Sequence, residues 1–308
     1  MSKIAYMISA YKDAVHLKRL INALDSDADF FVHVDGNVDI EPFRNAVGKR
    51  AKFVERHRVS WGGWSQVEFQ EELMNAVVDS GVDYDRVVCL SGLDYPLWSN
   101  AKIHQYFSQH AGEEFIMGMK LEDSLEPKQM AKVVQYHPFR DLEWSNLWLK
   151  NKAIVASRTI LKLLPLRKKP TVEVAGKESP VYFGADYWAL TLPCVKYVCN
   201  ELKSNIRLQK YFKSSFIPSE LCVQTIVFNS PFAPKAMKMA GPYKGLWALT
   251  PLHYINYGGG FIKILTEEDW PLLQDSGKMF CRKIATGISD ALAERIDKER
   301  NGNDAYMD

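Results

Sequence analysis

The chain has 308 residues, 47% of them hydrophobic and 25% charged, and a formal net charge of +2. That length allows one large domain or two small ones with a sizeable core. The near-neutral balance supplies no bulk attraction for a polyanion, so no nucleic-acid partner is expected.

Residues 3–10 read as a first strand, buried on both faces. Residues 16–24 follow as a helix with Leu17, Leu20, Ile21 and Leu24 on one side, and 29–35 as a second strand turned by Gly36-Asn37. This β-α-β opening predicts a doubly wound sheet. A short strand is expected over 51–54. Trp61-Gly62-Gly63-Trp64-Ser65 is a tight aromatic turn, and 66–80 is a helix by the spacing of Val67, Leu73, Met74, Val77 and Val78. The β-branched run 86–90 is a buried strand that ends in Ser91-Gly92-Leu93-Asp94-Tyr95-Pro96. Ligands of open α/β sheets sit at that carboxyl end. A helix over 100–109 and a strand over 114–119 complete this half. No G-x-G-x-x-G and no G-x-x-x-x-G-K-[ST] is present, which argues against dinucleotide dehydrogenases and P-loop enzymes.

Residues 120–178 are less regular. Within them, 146–169 interleaves apolar positions with Lys150, Lys152, Arg158, Lys162, Arg167, Lys168 and Lys169, and Pro165 should end or kink a helix there. Two readings stay open: a helix packed on the core with a solvated basic face, or an amphipathic surface that touches anionic lipid or a lipid-linked substrate. Regularity returns with a strand-rich aromatic segment over 181–190, a helix over 193–204 and a short one over 208–212. Ile217-Pro218-Ser219-Glu220 then opens a helix that runs to 229, with Ser219 as N-cap and Glu220 in the first turn. A strand over 252–257 stops at Gly258-Gly259-Gly260, Thr266-Glu267-Glu268-Asp269 signals a helix over 266–275, and 301–308 is a frayed tail. The five cysteines form no CxxC and no even framework, which favours free thiols. The pair Cys194 and Cys199 has no second Cys/His pair to complete a zinc site. No apolar run reaches the ~18 residues of a membrane span, and residues 1–10 lead straight into a core-like segment. A cytoplasmic protein is expected, at most peripheral at the inner face of the membrane.

Five pieces carry a resemblance: V-S-W-G-G-W-S-Q-V-E, C-L-S-G-L-D-Y-P-L, F-G-A-D-Y-W-A-L-T, I-P-S-E-L-C-V-Q-T-I-V-F-N-S and L-T-E-E-D…S-G-K-M-F-C-R-K-I. In this order and spacing the chain resembles the core-2/I-branching β-1,6-N-acetylglucosaminyltransferase family, which also holds the peptide O-xylosyltransferases. The likeness runs from 5 to 283 and is weakest over 120–178. It implies an α/β fold, a GT-A-like mixed sheet flanked by helices, in a single large domain with a partly helical middle insertion. Residues 1–119 would be the nucleotide-sugar-binding half, 120–178 the variable insertion and 179–300 the acceptor and catalytic half. The implied activity is inverting, metal-independent transfer of GlcNAc or xylose from UDP-GlcNAc or UDP-xylose to a hydroxyl of a glycan or lipid-linked saccharide, with no bound cofactor. The family's base lies in a proline-acidic-acidic motif, matched by Pro218-Ser219-Glu220, so the base falls on Glu220 and Ser219 replaces the other acid. The family's H-V-D turn is matched by His33-Val34-Asp35, with Asp35 facing the nucleoside. Its late diphosphate-binding residue is matched by Lys283, with Arg282 beside it. A further diphosphate arginine falls at His253, a departure, since histidine is mostly neutral above about pH 6.5.

The residues fit this chemistry on their own terms. Inverting transfer needs a base for the acceptor hydroxyl, neutralisation of the leaving diphosphate and in-line positioning. The helix start at Glu220 favours an anion, although first-turn acids are also common without catalysis. Neighbours on a helix diverge by about 100°, so Lys283 is expected to reach the phosphates and Arg282 to point elsewhere, or both to be a solvated pair. Trp61 is expected to stack on uracil or sugar. Asp94 would orient the donor sugar or brace its turn, and His33 would be a satisfied strand histidine. Asp83-Tyr84-Asp85 precedes its strand and Asp35-Gly36-Asn37 lacks a second carboxylate, so no metal is expected. The alternatives are a catalytically idle nucleotide- or carbohydrate-binding module, or a metal-dependent GT-A transferase of another family.

Overall fold

The computed structural model describes residues 3–144, 146–258 and 261–302. Strand β1 (Ile4–Ala10) is buried almost throughout, as a central parallel strand must be. Helix α1 (Ala14–Leu24) follows. Asp13 caps it by accepting the His16 amide, and Leu17, Leu20, Ile21 and Leu24 face inward. Strand β2 (Ala28–Val34) pairs parallel with β1. Helix α2 (Glu41–Val47) leads to the edge strand β3 (Ala51–Phe53). Helix α3 (Ser65–Asp79) then brings β4 (Arg86–Ser91) to the other side of β1, again parallel. Strand β5 (Asp94–Pro96), helix α4 (Asn100–Gln109) and strand β6 (Glu114–Lys120) close this half.

The middle segment holds more structure than its sequence promises. It contains α5 (Pro127–Val134), α6 (Leu147–Leu163) and a hairpin of β7 (Thr171–Val174) with β8 (Lys177–Pro180). Helix α6 ends two residues before Pro165, which cannot continue it. The chain continues through β9 (Tyr182–Phe183), β10 (Ala189–Leu190), α7 (Leu192–Ser204) and α8 (Ile206–Lys213). Helix α9 (Ser219–Phe228) and β11 (Ala236–Met239) come next. After them lie β12 (His253–Ile255), the small pair β13 (Tyr257–Gly258) and β14 (Phe261–Ile262), α10 (Trp270–Gln274), β15 (Phe280–Arg282) and α11 (Asp290–Gly302). Gly259, Gly260 and 303–308, most of the expected tail, lie outside the described residues.

The main sheet runs β11-β6-β10-β4-β1-β2-β3, with β9 paired on β6. Strand β10 enters antiparallel between β4 and β6. A strand from the late half therefore sits inside the early sheet, and 1–119 and 179–300 share one mixed sheet. Helices cover both faces. Successive β1 residues point to opposite sides, so Ala5 and Met7 join a core with Leu73, Val198 and Val223, while Tyr6 and Ile8 join Leu20, Phe107 and Ile296. This is the expected α/β architecture, a mixed sheet flanked by helices.

Two local expectations are corrected. Ser219 is the first helical residue of α9 rather than its N-cap, since Pro218 precedes it and no side chain caps this end. Arg282 lies on a strand, β15, not on a helix, so the helical divergence of Arg282 and Lys283 does not apply. Thr266 and Asp269 do form the expected capping box.

Candidate active site

The carboxyl ends of β1, β2 and β4 open on a cavity of about 430 Å³, a size that suits a small-molecule ligand. Its walls include Asp35, Trp61, Glu220, Arg282 and Lys283, five of the seven residues singled out in the sequence. The other two, Asp94 and His253, lie behind the wall.

Asp35 follows β2, and its Oδ1 accepts the Asn37 amide at 2.9 Å and the Val59 amide at 3.1 Å. These contacts fix the turn that carries it and tie the 57–59 segment to β2. His33 is a packed strand histidine, as expected: its Nε2 accepts the His57 amide at 2.9 Å and its ring stacks on Phe69. Burial, then the nearby His57, pushes its pKa down to about 4. Asn37 and Val59 both donate to the Asp35 carboxylate. Among the described residues no group of three His, Cys, Asp or Glu side chains could hold a metal ion.

Trp61 stands at the rim, 69% exposed, with its ring edge-on to Phe216. Trp64 is buried in the core. The two glycines between them have separate reasons. Gly62 has φ +75°, a left-handed conformation that L side chains disfavour. A Cβ on Gly63 would collide with the carboxylate of Asp141. That carboxylate accepts the Trp64 amide at 2.7 Å and the Ser65 amide at 3.1 Å, so a remote residue caps α3.

The cationic side of the cavity is built on β15. Its pairing with β5 puts Arg282 opposite Asp94. Arg282 donates from Nη1 to Asp94 at 2.8 Å, and its guanidinium lies over the Tyr187 ring. Asp94 is fully buried; its Oδ2 also meets His253 at 3.2 Å and accepts the Ser91 amide at 2.8 Å. Burial alone would raise the Asp94 pKa, but Arg282 and His253 outweigh it and hold the pKa below the usual value. Burial likewise opposes charge on Arg282, and Tyr187 and Asp94 more than restore it. Asp94 and His253 thus stand behind Arg282 and are not among the residues that line the cavity. The expectation that Asp94 braces its turn holds through Ser91. Lys283 faces the same cavity. Burial, then Arg282 and Lys12, depresses its pKa. Cations crowded in this way repel one another, and a bound polyanion relieves that repulsion.

The acidic side comes from α9 and the loop between β9 and β10. Glu220, in the first turn of α9, accepts Lys132 Nζ at 2.9 Å through its Oε2. Lys132 belongs to α5, so the middle segment contributes to the site. Asp186 sits beside Glu220. Burial, then the Glu220 charge, raises its pKa to about 7, while Ser219 and Gln70 pull it partly back. Among the described residues its buried Oδ1 and Gln70 Oε1 have no hydrogen-bond partner. Tyr257 closes in from another side; burial, then Glu220, pushes its pKa up to about 12.

Asp186, Lys132 and Gln70 were not singled out as site residues. Asp186 left a signal, a lone acid inside the apolar aromatic run F-G-A-D-Y-W. Gln70 left none, because the spacing of α3 marks only its apolar positions, and Lys132 left none, because α5 is too short for periodicity to mark.

The family model described as Core-2/I-Branching enzyme matches residues 4–243. The chain belongs to this family. Asp35, Trp61, Asp94, Asp186 and Glu220 lie within the matched residues, and His253, Arg282 and Lys283 lie beyond them. Xylosyltransferase oxt of Drosophila melanogaster is 23% identical over 317 residues, taking in 96% of this chain and 33% of the relative. The N-acetyllactosaminide beta-1,6-N-acetylglucosaminyl-transferase of Homo sapiens is 23% identical, taking in 70% of this chain and 50% of the relative. The chain thus spans about a third of the fly relative and half of the human one. Among solved structures, a cytidylyltransferase from Leptospira borgpetersenii superposes with a TM-score of 0.34 at 10% identity, covering 80% of this chain and 78% of that one.

Proposed function

We propose that this branching-family chain is an inverting, metal-independent glycosyltransferase. It moves GlcNAc or xylose from a UDP-sugar to a hydroxyl of a glycan or lipid-linked saccharide. The observation that carries this reading is one cavity walled by two cations, Arg282 and Lys283, and two carboxylates, Asp186 and Glu220. Transfer with inversion asks for both at once.

In the proposed mechanism Asp35 and Trp61 hold the nucleoside end. Arg282 and Lys283 bind the diphosphate and take up the charge that grows on it as the bond from the sugar C1 to its oxygen breaks. Glu220 removes the proton from the acceptor hydroxyl, whose oxygen forms the new bond to C1 from the opposite face. Lys132 holds the Glu220 carboxylate in position. Asp186, when ionised, adds a second negative charge that strengthens Glu220 as a base and favours positive charge at C1.

Cytoplasmic residence belongs to the same proposal and is tested by cell fractionation. Incubating the protein with UDP-GlcNAc and UDP-xylose in EDTA, with and without saccharide acceptors, tests the chemistry. UDP release and transfer are expected. Strict dependence on manganese would favour a metal-dependent transferase. One observation favours a second reading: Lys132 occupies an oxygen of Glu220. UDP binding with no turnover on any acceptor would make the chain an idle nucleotide-binding module.

A further inference from the structure

Helix α6 presents an apolar face that nothing among the described residues covers. At about 100° per residue, Trp148, Leu149, Val155, Ile160 and Leu163 fall within one arc of roughly 140°. Their exposures run from 46% for Leu149 to 83% for Leu163, while Ile154 on the opposite side is 6% exposed. Close to half of the exposed large hydrophobic side chains among the described residues lie between 139 and 166, under a tenth of the chain.

The opposite side of the helix meets the rest of the protein at Ile154, which is buried. Lys150 reaches Ser60 at 3.4 Å. Beyond the helix, the Lys168 amide donates to the Val134 carbonyl at 2.9 Å and its ammonium donates to Tyr211, Ser214 and Ser215. Ser60 adjoins Val59 and Trp61, which line the cavity. The first turn of α6 therefore stands beside the cavity mouth, with the apolar face on the side turned away from Ser60.

Charge selects the occupant. Residues 144–169 contain seven basic side chains and no acidic one. Lys152 lies within the apolar arc, with its ammonium over the Trp148 ring, and Arg167 and Lys169 are exposed just past the helix. A second copy of this chain is a poor partner, because a two-fold interface would set this patch against itself and oppose like charges. A tryptophan-bearing apolar stripe rimmed by cations fits an anionic bilayer, with the rings in the acyl boundary and the cations at the headgroups.

The geometry points to α6 as an interfacial docking surface for an anionic lipid membrane, holding the cavity mouth close to the bilayer. That lipid-linked acceptors are met there rests on the glycosyltransferase reading; the docking itself does not.

The test is flotation of the full chain with phosphatidylcholine vesicles, with and without phosphatidylglycerol. The chain should float with anionic vesicles, less so in high salt. Val155→Glu with Ile160→Glu should weaken binding by at least ~10-fold, because the inserted face is gone. UDP affinity should be unchanged, which reports a folded variant. If that double variant fails to fold, Lys152→Glu alone reads the same face. No binding to anionic vesicles, or equal binding by the variants, overturns the proposal. So does a wild-type dimer in sedimentation that the variants dissociate. Vesicle binding without UDP binding would overturn the glycosyltransferase reading and leave the surface standing.

Discussion

Asp94, buried behind the cavity, and Asp186, half-buried in its wall, are driven in opposite directions by their surroundings. Asp94 meets a guanidinium, an imidazole and an amide, and stays below the usual carboxylate pKa. Asp186 loses solvent and meets another carboxylate, which Ser219, Gln70 and Lys132 offset only in part, and it rises to about 7. The two call for different tests. Asp94→Asn leaves Arg282 without its counter-charge, which should cost about 3–5 kcal/mol in a denaturant titration. It should also weaken UDP binding, because Arg282 loses its aim. Asp186→Asn should leave the fold intact and change the pH profile. Wild-type kcat should rise with pH through about 7 as Asp186 ionises, and the variant should lose that limb. An unchanged limb would remove Asp186 from the chemistry. Glu220→Gln should lower kcat by about 10²–10⁴-fold, the usual contribution of a general base, and spare UDP binding.

At the scale of elements, the sequence made the regular pieces legible and left their joints obscure. The helix over 100–109 matches α4 end to end, and β1, β2, α3 and β4 fall within a residue or two of their expected limits. Their apolar periodicity is strong. Helix α5 and the β7–β8 hairpin are too short for periodicity to mark, which hid Lys132. The strand character of β15 was missed because three residues carry no alternation; that hid how Arg282 and Lys283 reach one cavity. The turn between Trp61 and Trp64 was legible as a turn, but its dependence on Asp141 was not, since 77 residues separate Asp141 from Trp64. Gly63→Ala tests this. Its methyl would displace the Asp141 carboxylate and uncap α3, at a cost of about 1–2 kcal/mol. Thermal melts should show the loss, with a raised KM for the donor as Trp61 shifts.

For the whole molecule, the opening β-α-β unit predicted the parallel half of the sheet, and no local signal predicted β10 between β4 and β6. That insertion brings Asp186 to the early strands and makes the two expected halves one body. Stability should then respond to pH as one body too. Burial holds His33 and His137 at a pKa of about 4, against 6.5 unfolded. Their depressed values mean the unfolded chain takes up protons first, so stability present above pH 6.5 is lost as the pH falls toward 4. Each should contribute about 1–3 kcal/mol to that loss. Asp186 opposes it, since its raised value makes the folded chain bind a proton first below pH 7. Denaturant midpoints across this range should fall overall, and His137→Phe should flatten the slope.

The central claim is that Arg282 and Lys283 take the diphosphate of a UDP-sugar without a metal. Calorimetric titration of UDP into the full chain in EDTA tests it most directly. Saturable binding is predicted, weakened by about 10–100-fold in Lys283→Ala, the worth of one hydrogen bond to a charged group. No binding in EDTA, or binding indifferent to both Lys283→Ala and Arg282→Ala, would contradict the account.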